Sequence, residues 1–439
     1  MKEIYDIVII GGGTNGLSIA SYLGKCGLSV CICEDRCECG GGAENTEPIP
    51  GVNIDPHATY LYGGAAPAFE QLELHKFGFR MVYMNGAAGG ITSDGKCYLI
   101  SPEHRDETIA SMRKFSQKDA DMFEMLYDIG DDVDPNKIIV EILRSIYWTP
   151  PPPSHIKLGP DELPWSKVFK EYLPGLYDDE WNKMSVLDIA DVLVESEPLK
   201  VGLAMGSWYN GPHPSWKGCG IPGIACNLLL YYSHGTPRGG MHSYAHSLVR
   251  CALYHGAKIY TNSRVEEIIV EDGEAKGVIL ADDAHAKNKR IYASKAVLSN
   301  THVMQTFLDL IPSRELDRDF VERVKGLNLK GGSLFVLSLV TSEMPKYIGG
   351  ADELFSDGRW PTVVAIPADG REQMLNQERD VYALNTHPTS MDSMITGLCS
   401  HDVFDRTRCY NDELYLFSPI YIQVPPPEYH RDGPEAVNR

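Results

Sequence analysis

Four residues near the start of the chain have types and spacing suited to holding a phosphorylated ligand. They are Gly11, Gly13 and Gly16, in the pattern Gly-x-Gly-x-x-Gly, followed by the acid Glu34. Gly11 permits a tight turn, Gly13 lets the backbone approach a pyrophosphate, and Gly16 lets a helix pack closely on a strand. Glu34 can accept hydrogen bonds from ribose hydroxyls. Such residues work only if local structure aims them. The run "DIVII" reads as a buried parallel strand, "LSIASYLGKCG" carries helical periodicity, and "LSVCICE" reads as a second strand ending at Glu34. Strand, glycine turn, helix, strand and acid form a dinucleotide-binding unit, with the helix N-terminus facing the diphosphate.

Other groups capable of chemistry follow at once. Cys31-x-Cys33 and Cys37-x-Cys39 could bind a metal or carry redox chemistry. Cys31 and Cys33 share one face of a buried strand, and the spacing matches no common zinc pattern, so they read as small hydrophobes. Cys37 and Cys39 remain open as redox thiols. His242 and His246 have the i, i+4 helical spacing of zinc ligands, but Ser243 stands where a metalloprotease motif has Glu. They read as helix-surface or cavity-lining histidines. His234 and Arg238 precede that helix and could line a substrate cavity.

A second glycine cluster, "CGGGAENTEPIPGVNIDPHATYLYGG", separates NAD-type from FAD-type units. Here the sequence resembles the FAD-dependent phytoene-desaturase branch of the flavin amine oxidase superfamily. Gly40, Gly41, Gly42 and Ala43 match that family's glycine pair after the ribose acid. Pro50-Gly51 and Asp55-Pro56-His57-Ala58 match its "PG…D.G" segment. Many relatives carry Arg at the position of Gly42, so phosphate binding here is expected to fall more on backbone N–H groups. Further matches are "FSQKDADMF", with Ser116 as helix N-cap and Asp119 at the capping-box position; "GIPGIA", similar to a family loop; and "TPRGGMHSYAHSLVRCALYHGAKIYTNSRVEEIIVEDGEAKGVILAD". In the last, Met241, Tyr244, Ala245, Leu248, Val249, Ala252 and Leu253 recur on one helical face. "AKIYTN" and "VEEIIVED" read as strands, with a turn at Gly273. "YASKAVLSNTH" matches the strand that closes back on the cofactor domain.

The resemblance implies a Rossmann-like FAD-binding domain with a parallel sheet, of α/β class, and an interleaved α+β substrate domain. It implies FAD contacts at Gly11, Gly13, Thr14, Asn15, Gly16, Glu34, Asp35, Gly41, Gly42, Ala43, His57, Ala58, Val265 and Asn300. It places His57 near the flavin, where a near-neutral imidazole suits proton transfer. The expected layout is a FAD domain over 1–70 and 230–310, a helix-rich insertion over 71–229, and a substrate-domain sheet with a tail over 311–439. Relatives usually close with a glycine-rich "GA..HPGGG…G" element, which this sequence does not contain. Two expectations stand: the sequence is incomplete, or a second protein subunit supplies the element. The activity implied is oxidation of an apolar, terpenoid-type small molecule by hydride transfer to FAD. An amine oxidase and a flavin-free binder resembling the Rab GDP-dissociation inhibitors are the alternatives.

Composition narrows the partners. The chain has 439 residues, 43% hydrophobic and 23% charged, with a formal net charge of −20. That charge opposes nucleic-acid binding and attraction to anionic lipid, leaving peripheral, apolar membrane contact at most. The longest apolar runs, such as "SLFVLSLV", fall far short of the roughly 20 residues of a membrane span. Eleven cysteines and no evident secretion signal predict reduced thiols and a cytoplasmic location. "SIYWTPPPP" and "GSWYNGPHPSWKGCGIPG" gather aromatics that could wall an apolar channel or pack a core, and Pro150 to Pro153 read as a rigid spacer or a solvated loop. "GGSLFVLSLV" reads as a strand of the sheet roofing the flavin cavity.

Overall fold

The structure, a computed structural model, describes residues 3–61, 66–84, 87–132, 135–147, 149, 157–159, 162–208, 213–232, 235–327, 333–347, 349–383, 390, 394–410 and 413–424. Pro150 to Pro153 and His234 lie outside the described residues. The chain divides into two compact units, one comprising Met1–Leu61, Pro67–Met81 and Thr236–Asn328, the other the remainder.

The first unit is built on a six-stranded sheet. Strand β1 (Glu3–Ile10) lies at its centre, flanked by β2 (Val30–Cys33) and by Arg290–Ser299. Both pairings are parallel, and Lys258–Tyr260 adds a fourth parallel strand beyond β2. An antiparallel hairpin, Val265–Glu271 with Glu274–Leu280, completes the sheet, turning at Asp272 and Gly273. The run Ile7–Ile10 and all of β2 are buried, as a strand covered on both faces requires. On one face, Leu17 and Ala20 of helix α1 (Thr14–Lys25) pack with Ile7, Ile9, Ile32, Leu72, Leu74 and Phe79. The other face buries Cys31, Cys33, Val265, Val278 and Leu310. Leu72, Leu74 and Phe79 of the first core carry the unit past residue 70.

The Met241–Tyr254 helix packs beside α1 through Leu248, Cys251 and Ala252. Leu253 was expected on this face, but it is 52% exposed and Cys251 is buried in its place.

The second unit has a seven-stranded sheet and a helical layer. Its strand order is Ser333–Val336, Tyr415–Val424, Thr396–Cys399, Val363–Ile366, Ala88–Ile91 and Cys97–Ile100, with Leu339–Thr341 also paired to Tyr415–Val424. Among these strands, Val363–Ile366 and Ala88–Ile91 pair in parallel and the others antiparallel. "SLFVLSLV" is therefore two strands, both paired with one long partner. The helices include Arg105–Arg113, Gln117–Asp132, Pro135–Tyr147, Pro164–Tyr172, Val186–Leu193, Glu197–Trp208 and Gly220–Tyr232. "GIPGIA" was expected as a loop but opens the last of these. Pro222 sits in its first turn, where a missing N–H costs nothing. Ser116 does cap the Gln117–Asp132 helix, its Oγ accepting from Asp119 N–H at 3.2 Å. The Asp119 carboxylate accepts from the Glu195 and Ser196 N–H groups at 2.7 and 2.9 Å, joining two segments of the helical layer.

Candidate functional site

Two glycine turns meet at the C-terminal ends of β1 and β2. Gly13 and Gly40 form a parallel bridge, and Gly40 N–H donates to Gly12 O at 2.9 Å. Gly11 and Gly41 have φ of +93° and +61°, a left-handed backbone that a side chain would strain. A Cβ at Gly16 would collide with the Gly11 carbonyl, so α1 can lie this close to its strand only with glycine there. Gly13 caps α1 without any side chain, leaving the first-turn N–H groups of Thr14, Asn15 and Gly16 without intrahelical partners. No acidic residue lies in that turn to compete with a bound anion. A Cβ at Gly42 would meet nothing within 4 Å.

Glu34 is buried at the end of β2. Its Oε2 accepts from Gly12 N–H at 2.7 Å and its Oε1 from Arg36 N–H at 2.8 Å, so both oxygens are oriented toward the turn. Asn300 N–H donates to Ile10 O at 2.8 Å, and its Nδ2 stands 3.1 Å from the Cβ positions of both Gly13 and Gly16. Ser263 N–H donates to Glu34 O at 2.8 Å and holds the segment before Val265 against the end of β2. Ala58 N–H reaches Gly42 O at 3.4 Å. Ala43 is buried against Met241 and Ala245. The structure thus gathers Gly11, Gly13, Thr14, Asn15, Gly16, Glu34, Gly41, Gly42, Ala43, Ala58 and Asn300 around one turn system. Asp35 is exposed at its edge, and Val265 contributes its buried side chain to the sheet core.

Sequence reasoning missed Arg36 and the role of Asp55. Arg36 places Nη1 3.4 Å from Gly41 O and Nη2 2.5 Å from Glu44 Oε1, bringing a cation to the second turn where Gly42 has none. This hydrogen bond holds the Glu44 carboxyl below its ordinary pKa, a shift that burial opposes. Its signal was a cation two residues after the ribose acid. Asp55 is the second. Its Oδ1 accepts from Met241 N–H at 2.9 Å and from Asn45 Nδ2 at 2.8 Å, while Asn45 Oδ1 accepts from His242 N–H at 2.5 Å. These side chains cap the Met241–Tyr254 helix and fasten the second glycine segment to it.

His57 is 59% exposed, with Nε2 3.6 Å from Glu44 Oε2. The other candidate groups have structural surroundings. Burial pushes the Cys39 thiol up to about 12 and its sulfur packs against Gly12, so it does not supply a thiolate near neutral pH. Cys37 is exposed. The Cys31 thiol is raised by its hydrogen bond with Cys33 and by burial. His242 and His246 stack with ring centroids 4.1 Å apart, and His242 Nε2 lies 3.5 Å from Glu38 Oε2. Among the described residues, no group of three metal-ligating side chains converges. No helix among them is long and apolar enough to cross a membrane.

Two family descriptions match the chain: the Thi4 family over residues 2–46 and the FAD binding domain over residues 223–317. The chain is 27% identical over 365 residues to pyridine nucleotide-disulfide oxidoreductase domain-containing protein 2 of Rattus norvegicus, covering 75% of this chain and 58% of that protein. It is 23% identical to a limonene dehydrogenase subunit of Castellaniella defragrans, covering 78% and 60%. It is 24% identical to the lycopene-forming phytoene desaturase of Pseudescherichia vulneris, covering 75% and 62%. The chain therefore spans about three fifths of the length of these curated relatives. An oxidoreductase structure from Methanosarcina mazei shares the fold, with TM-score 0.59 and 17% identity, covering 98% of this chain and 82% of that one. The bare first turn of α1 and the oriented Glu34 suit the diphosphate and ribose of a dinucleotide. These matches support a FAD-binding oxidoreductase that resembles the desaturase and dehydrogenase relatives.

Proposed function

We propose that the protein dehydrogenates an apolar, terpenoid-type small molecule as one chain of a heteromeric, cytoplasmic enzyme. One observation carries the reading: two glycine turns interlock beside an oriented Glu34, in a chain whose relatives include a phytoene desaturase and a limonene dehydrogenase subunit. FAD, when bound, supplies the hydride acceptor that oxidation of a C–H bond needs.

The chain's own residues do the holding. The first-turn N–H groups of α1 bind the diphosphate, with Arg36 adding positive charge at the second turn. Glu34 accepts from the ribose hydroxyls. Asp55 and Asn45 fasten the second glycine segment to the Met241–Tyr254 helix. His57 is the proposed proton carrier, exchanging its Nε2 proton with solvent beside Glu44. The partner chain is supported by the name of the limonene dehydrogenase relative, which denotes one chain of a larger enzyme. The cytoplasmic location is supported by eleven cysteines, all of them free thiols.

The test is purification of the native protein with whatever chain accompanies it, followed by anaerobic mixing with a monoterpene hydrocarbon. The expected result is a yellow sample whose flavin absorption bleaches. A yellow sample bleached by amines and never by hydrocarbons turns the reading to an amine oxidase. A folded sample that stays colourless after addition of FAD and the co-purified chain overturns the enzyme reading in favour of a flavin-free binder. Replacing His57 by Ala should slow the bleaching, and an unchanged rate removes His57 from the mechanism.

A further inference from the structure

The helical layer of the second unit holds a partly open apolar cavity of ≈ 140 Å³. Its wall is drawn from widely separated elements. Phe123, Phe169, Trp181, Leu193, Leu203 and Ile224 come from six different helical segments. Phe169 and Trp181 are 1% and 3% exposed, so this side of the wall belongs to the packed interior, while Leu126, Leu173 and Leu176 are half-buried. Interiors of this kind are close-packed, with few voids larger than a water molecule.

Two polar side chains of the wall, Tyr127 and Asn227, are already engaged. Tyr127 donates its hydroxyl to Ser101 O at 2.5 Å. Asn227 Oδ1 accepts from Gly206 N–H at 3.1 Å, and Asn227 Nδ2 donates to Leu203 O. A guest can therefore gain apolar contact but little hydrogen bonding. A hydroxyl or amine placed there would lose its water without replacement. Cavities of about 150 Å³ lined by Leu, Ile and Phe stay dry and take up benzene or xenon.

We infer that this cavity is a binding site for one small uncharged hydrocarbon, close to a single six-membered ring in size. The site is lined only by residues of the second unit and does not depend on the cofactor. A ring of this kind fills the space, displaces no ordered hydrogen bond, and is selected over its hydroxylated counterpart by the saturated polar wall.

The test uses the full chain. Binding of benzene and of phenol is measured by equilibrium partition from the gas or aqueous phase, and xenon is pressed into crystals. Saturable uptake of one benzene per chain, phenol bound at least about tenfold more weakly, and xenon density between Phe169 and Ile224 are the expected results. Ile224→Phe fills the cavity and should remove benzene uptake while leaving circular dichroism and FAD content unchanged. Leu193→Phe, from the opposite wall, serves if that variant does not fold. No saturable benzene uptake by the wild type, equal affinity for phenol, or undiminished uptake by a folded filled variant overturns the inference. FAD content is read in every sample, so failure here is separable from failure of the flavin reading.

Discussion

The nucleotide cradle of the first unit and the hydrocarbon-sized cavity of the second are made from opposite materials. The cradle is nearly all backbone: Gly11 and Gly41 take left-handed conformations, Gly16 permits contact with the Gly11 carbonyl, and Glu34 is a buried acid that orients the turn. The cavity is nearly all side chain, with Phe123, Phe169, Trp181 and Ile224 contributing bulk from separate helices. A site for charge needs fixed N–H groups and no steric cover. A site for hydrocarbon needs shape and the prior satisfaction of every polar atom. One substitution can therefore abolish the first, while the second should respond in proportion to volume.

The comparison breaks most sharply at Gly16. Gly16→Ala drives a methyl into the Gly11 carbonyl, and it should abolish FAD binding and lower unfolding stability by about 2–3 kcal/mol, measured by flavin titration and urea denaturation. Equal FAD affinity in this variant would contradict a backbone-built cradle. Next is Asp55. Asp55→Ala leaves the Met241 N–H and Asn45 uncapped, with an expected loss of about 2 kcal/mol, part of it restored by Asn. Amide exchange should rise in the Met241–Tyr254 helix and stay unchanged in the Gln117–Asp132 helix.

A smaller effect belongs to the second unit. His213 is buried, and burial pushes its pKa down to about 3 against the opposing hydrogen bond of its Nε2 with Met374 O at 3.2 Å. The unfolded chain, with an ordinary imidazole near 6.5, binds this proton more readily than the folded one. The His213 contribution is therefore intact above about pH 6.5 and declines as pH falls toward about 3. Between about pH 7 and pH 5.5 the expected loss is about 1 kcal/mol, absent in His213→Gln, read from urea midpoints at each pH. The smallest effect is at Gly42, where the Cβ direction is open. Gly42→Arg should change stability by less than about 0.5 kcal/mol and leave FAD affinity equal or higher.

The two regions also differ in how far the sequence revealed them. The cradle was legible because its constraints are local. Gly11, Gly13, Gly16 and Glu34 lie within one strand–helix–strand unit, and Gly11 and Gly16 exclude other residue types for a backbone reason. Arg36 was overlooked although it lies in the same stretch, since nothing in the spacing shows that its guanidinium turns back to Gly41 O. Asp55 was noticed as a motif residue, but its role depends on Met241, 186 positions away. Asp119 likewise looked like a local cap, while its carboxylate bridges to Glu195 and Ser196. "GIPGIA" was read as a loop from its similarity to a family loop, but it opens a helix whose first turn tolerates Pro222. The cavity left no trace in the sequence. Its residues are ordinary core hydrophobes, and only the packing of several helices leaves space among them.

Titrating the full chain with FAD and following flavin fluorescence tests the central claim most directly. We expect saturation at one FAD per chain in the wild type and none in Gly16→Ala at matched folded content. A folded wild-type protein that shows no saturable FAD binding, or that binds it equally well with Ala at position 16, would contradict the account.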